Sequence, residues 1–447
     1  MHRLAHSLGS SMKFPYRLLF CLLGACAVGC SVQKPPAAVA PSSVVADNAR
    51  TESPKPTPLL LISIDAFRAD YFDRGISPTL ALLAQQGVHA DAMRPVFPSL
   101  TFPNHYTLVT GLIPDHHGII ANTMTDPQLG HFTPKNAAEA NDGRWWAEAT
   151  PVWETADAHG LRTALMFWPG SGADIHHHRP DYWHSYDGAV TPDRRVDQVL
   201  AWLDLPVAER PSFLTLYFDG VDHNGHDHGP DSPELNQAIR DTDAALARLL
   251  KGLQQRGLYG HINIIVVADH GMASVPLRNS IFIDRLIPLD KVATVDLGVL
   301  AGFNPKSDSA ASRQTFARIE AKMSRPQRHM QCWDKTKVPA RFEYGKNPRV
   351  PQLLCLADVG WRITSADEIA HGGDKPLKVG EHGYDNADPR MRALFIAAGP
   401  AFREGVRVAE FPNVDVYPLI MHLLGLTPLP NDGDFSAVSG MLKSPAP

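Results

Sequence analysis

Three short stretches of the chain gather carboxylates and imidazoles among glycines, and a fourth ends an apolar run on a carboxylate. "VDHNGHDHG" sets Asp222 and His226 four apart, with further histidines beside them. "ADHG" closes an apolar run on the adjacent pair Asp269 and His270, "GEHGYDN" places His382 between glycines, and "PLLLISIDAF" ends at Asp65. An aspartate at a strand end is usually a turn former or a helix cap, so Asp65 alone says little. Four such stretches together say more. Carboxylates mixed with imidazoles, and no thiolate, suit zinc in a catalytic site better than in a structural one. The ligands suffice for two ions: Asp222, His226 and His382 for one, Asp65, Asp269 and His270 for the other. Two metals about 4 Å apart are a common clamp for in-line displacement at phosphorus.

A fifth stretch supplies a nucleophile. "PVFPSLTFPNHYTLVTGLIPDHHGI", residues 95 to 119, crowds prolines and hydroxyls around Thr101 at what reads as a helix start. A threonine hydroxyl is weak at its free pKa, and metal coordination is one recognised way to activate it. The plainer expectation is a helix-capping threonine. The two roles are compatible, because a helix N-terminus also attracts phosphate oxygens.

The elements that must position these residues can be read from hydrophobic pattern. "PLLLISIDAF", "PSFLTLYFDGVDH", "INIIVVADHG", "RALFIAAGPAF" and "LRTALMFWPG" are apolar runs of the kind found in strands buried on both faces. Between them, "SPTLALLAQQG" offers Ser77 as N-cap, Pro78 at the first helical position and Gly87 as a stop; "SPELNQAIRDTDAALARLLKGLQQRG" opens similarly at Ser232. Alternating strands and helices predict an α/β fold with a mostly parallel central sheet and helices on both faces. Ligands in such sheets sit at the carboxyl ends of the strands, where the candidate residues fall. Residues 303 to 350 are charged and less regular and read as a small insertion or cap.

The N-terminus reads as an address. From Met12, "MKFPYRLLFCLLGACAVGC" has two cations, an apolar core too short to span a bilayer, then small residues. This is an export signal over residues 1–30, starting at Met1 or Met12. Two boxes, ending at Cys26 or Cys30, fit a lipoprotein signal as well as a simple secretory one. Residues 31–57 are Pro/Ala/Ser-rich and read as a flexible linker. The expected location is therefore the periplasm, free or lipid-anchored to the outer membrane. The remaining cysteines, Cys332 and Cys355, then stand in an oxidising compartment and suggest one disulfide. A net charge of −5 over 447 residues argues against a nucleic-acid backbone binder but leaves small nucleotides open. Oligomeric state is not readable.

Taken together, "SIDAFRADY", "PSLTFPNHYTLVTGLIPDHHGI", "WWAEATPVWETA", "FWPGS", "VDHNGHDHGP", "ADHGM" and "EHGYDN" resemble the nucleotide pyrophosphatase/phosphodiesterases of the alkaline phosphatase superfamily, over residues 58–430. The exported, tethered form resembles the bacterial members, and residues 431–447 would be a C-terminal tail. The resemblance implies an alkaline-phosphatase-like catalytic domain, two zinc ions and Thr101 as nucleophile. It places Asp65, Thr101, Asp269 and His270 in one zinc site and Asp222, His226 and His382 in the other. It assigns Asn122 to the phosphoryl oxygens, and Phe102 and Tyr217, with Tyr186 as a looser match, to a nucleotide base. The implied reaction is hydrolysis of nucleotide phosphodiester or pyrophosphate bonds through a phospho-threonine, with release of nucleoside 5′-monophosphates. Rival readings are a lysophospholipid or other non-nucleotide phosphodiesterase, a phosphonate hydrolase, or a metal-binding envelope protein without activity. The triplet His176, His177 and His178 reads as variable loop. His105, His116 and His117 read as braces of the nucleophile loop, and Trp145, Trp146 and Trp153 as core or pocket wall.

Overall fold

The computed structural model describes residues 56–371 and 378–443. The expected export signal, and the expected linker up to residue 55, lie outside the described residues.

An eight-stranded sheet forms the centre, in the order Val406–Val408, Gly87–Ala90, Phe395–Ala398, Asn263–Val267, Leu59–Ile64, Phe213–Phe218, Thr163–Met166 and Tyr182–Trp183. Only Phe395–Ala398 runs antiparallel to its two neighbours, so the sheet is mostly parallel, as its apolar runs predict. Every residue of Leu59–Ile64, Phe213–Phe218 and Asn263–Val267 is buried. Both sheet faces are therefore covered, which is why these strands read as unbroken apolar runs rather than alternating ones. The fold is α/β.

The helix Pro233–Gln255 buries Leu235, Ile239, Leu246, Leu249 and Leu253, the three-and-four spacing of a single helical face. Ser232 caps it, accepting the Leu235 amide hydrogen. The helix Pro78–Gln85 behaves differently. Ser77 occupies the N-cap position but makes no capping bond. Instead Asp243, from the middle of Pro233–Gln255, accepts from the Thr79 and Leu80 amides at 3.0 Å. A tertiary contact here replaces the local cap, because a carboxylate satisfies two orphan amides where a hydroxyl would satisfy one.

The expected insertion is broader and more regular than its sequence suggests. Val292–Asp296, Leu300–Pro305, Leu353–Ala357 and Met330–Asp334 form a separate antiparallel sheet, accompanied by the helix Ala310–Met323. Strands such as Met330–Asp334 have buried and exposed positions mixed, so they lack the apolar run that marks the central sheet. Cys332 and Cys355 lie opposite one another on adjacent strands of this sheet and are disulfide-bonded. Beyond residue 430, Asp432 accepts from the Ile113 amide and pairs with His116, and Val438 and Met441 are buried. No described helix is long and apolar enough to cross a membrane.

Candidate metal centre and nucleophile

Three adjacent parallel strands bring the carboxylates together. Leu59–Ile64 lies between Asn263–Val267 and Phe213–Phe218, with Ser63 opposite Val267 and Ile64 opposite Phe218. Asp65 leaves the middle strand directly. Asp269 follows two residues after one neighbour, and Asp222 lies in the first turn of the helix Gly220–His228 that follows the other. His226 is one helical turn on from Asp222 and shares its face. His382 arrives beside a short strand, Gly380–Glu381, that pairs with Ala273–Ser274. A Cβ on Gly380 would meet the Gly225 carbonyl oxygen at 2.1 Å, so only glycine allows this segment to approach the helix.

That approach has a purpose at the imidazoles. His226 Nδ1 lies 2.8 Å from the Gly380 carbonyl, His270 Nδ1 2.9 Å from the Gly271 carbonyl, and His382 Nδ1 3.0 Å from the Ser99 carbonyl. A carbonyl can only accept, so each Nδ1 carries the hydrogen and each Nε2 is left facing the carboxylates. His226 and His382 present Nε2 to Asp222 Oδ1 at 3.5 and 3.6 Å. His270 presents it to Asp65 Oδ1 at 3.6 Å and Asp269 Oδ2 at 2.9 Å. The same three oxygens, Asp222 Oδ1, Asp65 Oδ1 and Asp269 Oδ2, are buried without a hydrogen-bond partner. Lone pairs of nitrogen and oxygen thus converge with no proton between most of them. A divalent cation satisfies that arrangement.

The electrostatics point the same way. Burial, with the charges of Asp269 and Asp222, pushes the Asp65 carboxyl well above the usual carboxylate range. Burial would also raise Asp269, but His270 and His105 hold it well below that range, and Asp269 in turn raises His270 against the effect of burial. Burial pushes His226 down to about 3 and, with His270 beside it, lowers His382 well below an ordinary imidazole. The last two are therefore neutral near pH 7 and need not lose a proton to ligate. The donor set, imidazole nitrogen and carboxylate oxygen with no thiolate, suits a cation of the zinc class. Asp222, His226 and His382 converge as one group, Asp65, Asp222 and His270 as a second that overlaps it, and Asp65, His105 and Asp269 as a third, which sets His105 against the cluster as well.

Thr101 opens the helix Thr101–Thr110 as its first residue, with Leu100 at the N-cap position and no side-chain cap. Its hydroxyl does not cap the helix. It stands 3.2 Å from His270 Nε2. Asn122 accepts the Phe102 amide hydrogen at 2.9 Å, which brings its carboxamide to the same helix start. The Phe102 ring backs onto Phe132 and Trp146. Tyr217 is buried, and its hydroxyl donates to Asp65 Oδ2 at 2.6 Å, which turns the phenol toward the carboxylates. Tyr186 is 56% exposed, with its ring centroid 6.2 Å from that of Tyr217.

The residues read as braces have partners of their own. His105 joins Ser63 Oγ at 2.8 Å and the Thr101 carbonyl at 2.9 Å, with Asp269 at 3.4 Å, so it ties the nucleophile helix to two strand ends. Ser63 and its link to His105 escaped the sequence reading, since a serine inside an apolar strand looks like filler. His117 meets Thr107, and Trp145, Trp146 and Trp153 are core. In the triplet, His176 bonds Glu154 and the Ala147 carbonyl, and His178 bonds Asp157. None of the three joins a metal-competent group among the described residues.

Comparison with known proteins agrees over most of the chain. The pattern of the type I phosphodiesterase / nucleotide pyrophosphatase family matches residues 59–385. An uncharacterized pyrophosphatase/phosphodiesterase of Schizosaccharomyces pombe is 38% identical over 383 residues, covering 84% of this chain and 79% of that protein. Human ectonucleotide pyrophosphatase/phosphodiesterase family member 1 is 36% identical over 396 residues, covering 87% of this chain but only 42% of the human one. Among solved structures, an inactive variant of murine ectonucleotide pyrophosphatase / phosphodiesterase 5 in complex with AMP aligns with a TM-score of 0.81 at 33% identity. That alignment covers 87% of this chain and all of the murine one.

Proposed function

The chain belongs to the type I phosphodiesterase / nucleotide pyrophosphatase family, and from that membership we propose that it is a zinc-dependent hydrolase of nucleotide phosphodiester or pyrophosphate bonds. The observation that carries this reading is the Thr101 hydroxyl, 3.2 Å from His270 Nε2 at the edge of a buried, cation-demanding cluster. Asp65, Thr101, Asp269 and His270 would hold one zinc, and Asp222, His226 and His382 the other. Bound there, the two ions would supply Lewis-acid charge neutralisation and a lowered hydroxyl pKa.

The chain's own groups do the rest. Thr101 Oγ gives up its proton to solvent and attacks phosphorus as the bond to the leaving oxygen breaks, giving a phospho-threonine and a leaving group that takes a proton from solvent as the departing alcohol or leaves as pyrophosphate. Water then attacks the same phosphorus, the Oγ–P bond breaks, and a nucleoside 5′-monophosphate leaves with Thr101 restored. At the start of the Thr101–Thr110 helix the Phe102 amide is taken by Asn122 Oδ1 and Pro103 has no N–H, so the Asn122 carboxamide nitrogen, rather than a row of helix amides, would donate to the phosphoryl oxygens. Phe102 and Tyr186 would flank the base, while Tyr217, which the resemblance also assigns to it, is buried with its hydroxyl on Asp65 and would offer it only a ring edge. AMP in the murine neighbour supports a nucleotide rather than a lipid substituent.

A diester is favoured over a monoester because the nucleophile is followed by the aromatic wall of Phe102, Phe132 and Trp146 rather than by a cation. The zinc-loaded protein is expected to hydrolyse a 4-nitrophenyl nucleotide diester at least about 100-fold more efficiently than 4-nitrophenyl phosphate, roughly 3 kcal/mol of transition-state preference. Equal kcat/KM values would remove the assignment.

The reading extends to place: an exported bacterial enzyme, held outside the cytoplasm by the 31–57 linker and a lipid on Cys26 or Cys30. Palmitate labelling of the full chain in a bacterial host is expected to be lost when both cysteines become serine. Labelling that persists would leave a simple secretory signal in its place.

A further inference from the structure

The strand that leads into the Asp222 helix also does something the metal centre does not require. Its end reads Tyr217, Phe218, Asp219, and Asp219 stands three residues before the ligand. Asp219 is held by Arg195, which is 1% exposed on the helix Pro192–Leu203. Arg195 Nη1 lies 3.1 Å from Asp219 Oδ1 and donates to the Tyr217 carbonyl at 2.9 Å, while its Nε donates to the Val190 carbonyl at 2.9 Å. Its guanidinium carbon lies 5.2 Å from the Phe167 ring centroid. Burying a guanidinium and a carboxylate is a poor source of stability, because desolvation cancels most of the attraction. Such pairs fix geometry instead, and this one holds the second carboxylate oxygen in place.

That oxygen accepts the hydroxyl hydrogen of Tyr186. Tyr186 belongs to the irregular segment between Tyr182–Trp183 and the helix Pro192–Leu203, and more than half of it is exposed. Its ring centroid lies 6.2 Å from that of Tyr217, whose hydroxyl meets Asp65, and this contact sets it beside the metal centre; the cavity of about 680 Å³ that it also borders, with Phe167, His184 and Arg194, is lined by none of the proposed ligands. A tyrosine so placed would sample several rotamers if its hydroxyl were free. Tied at the hydroxyl and edge-packed on Phe167 at 5.3 Å, it offers one fixed face.

We propose that Asp219, clamped by Arg195, is a positioning residue that holds Tyr186 as a rigid wall of the substituent subsite and thereby sets the preference for nucleotides over simpler diesters. This rests on the nucleotide reading above. The wall and the metals are thus placed by one segment: Tyr217 reaches Asp65, Asp219 reaches Tyr186, and Asp222 faces the two imidazoles.

A double-mutant cycle on the zinc-loaded full chain tests it, with Asp219→Ala, Tyr186→Phe and the pair. Each single variant is expected to raise KM for a 4-nitrophenyl nucleotide diester about 5-fold, the scale of freeing one ordered side chain, with kcat altered less than about 2-fold. AMP affinity measured by calorimetry should weaken by the same factor. KM for bis(4-nitrophenyl) phosphate, which has no base, should shift much less. The pair should be no worse than either single variant, because both remove one bond. Multiplying effects, or a loss seen only in kcat, would overturn the proposal. Asp219→Asn, which keeps an acceptor, should recover most of the KM and separates positioning from misfolding. If the wild type does not prefer the nucleotide diester to bis(4-nitrophenyl) phosphate, the nucleotide reading has failed. The cycle on AMP affinity then still reports whether the two residues act through one bond.

Discussion

Replacing Thr101 with alanine is expected to lower kcat/KM for a nucleotide diester at least about 10³-fold, while the protein still folds and still carries zinc. The structure separates those outcomes. Thr101 is the first helical residue, and its hydroxyl caps nothing, so alanine removes no backbone partner and suits a helix at least as well. Six of the seven proposed ligands remain, each imidazole still set by its carbonyl. What disappears is the only hydroxyl beside His270 Nε2 among the described residues, and with it the phosphoryl acceptor. Zinc per chain, by elemental analysis, should stay close to the wild-type value, and the thermal midpoint should be nearly unchanged. Thr101→Ser restores a nucleophile of the same type and should recover turnover to within about 100-fold of wild type, the loss reflecting the freer rotamer of serine. A Thr101→Ala protein that keeps more than a few per cent of the wild-type rate would assign the chemistry to another group, most simply to water.

How much of this was legible in the sequence depends on where the information lies. Asp65, Asp222, Asp269 and His270 announce themselves because buried parallel strands are apolar on both faces, and a charge appears only where the strand ends. The order of the strands is not written locally. Nothing in residues 59–64 says that 213–218 and 263–267 will flank them, although that adjacency is what turns three separate aspartates into one site. Backbone carbonyls carry no residue signature, so the supports of His226, His270 and His382 were invisible, apart from the glycines that allow the close approach. Asp243 capping a distant helix, and Arg195 clamping Asp219, are contacts more than 20 residues apart made by two side chains, Asp243 and Arg195, that read as ordinary helix surface. The antiparallel insertion was underestimated because its strands mix buried with exposed positions. Local chemistry was readable, and long-range hydrogen bonding was not.

Asp222 is the residue on which the two metal groups meet, and its neutralisation should separate catalysis from stability. Its Oδ1 faces both His226 and His382, and its charge also acts on Asp65 and His270. Asp222→Asn keeps the shape and removes the charge. Activity is expected to fall at least about 100-fold, since a lost ligand costs more than the roughly 10- to 100-fold typical of lost outer-shell support. Bound zinc should drop toward one per chain. Without metal the balance is different. Asp65 has its carboxyl raised in the fold by burial and by the charges of Asp269 and Asp222. A group raised above its unfolded value makes the native state the better proton binder, so its contribution to stability declines as pH rises from the unfolded carboxylate value, about 4, through the raised one. Removing the Asp222 charge lowers that raised value and narrows the window. The same substitution removes an attraction for His270, so the two effects oppose one another and the chelated Asp222→Asn protein should melt close to chelated wild type at pH 7. Adding zinc should set the wild type clearly above the variant, because binding to the folded state stabilises the wild type through two full sites and the variant through little more than one. A zinc-loaded variant that melts as high as zinc-loaded wild type would mean that Asp222 holds no cation, and the cluster would lose its claim to be a metal centre.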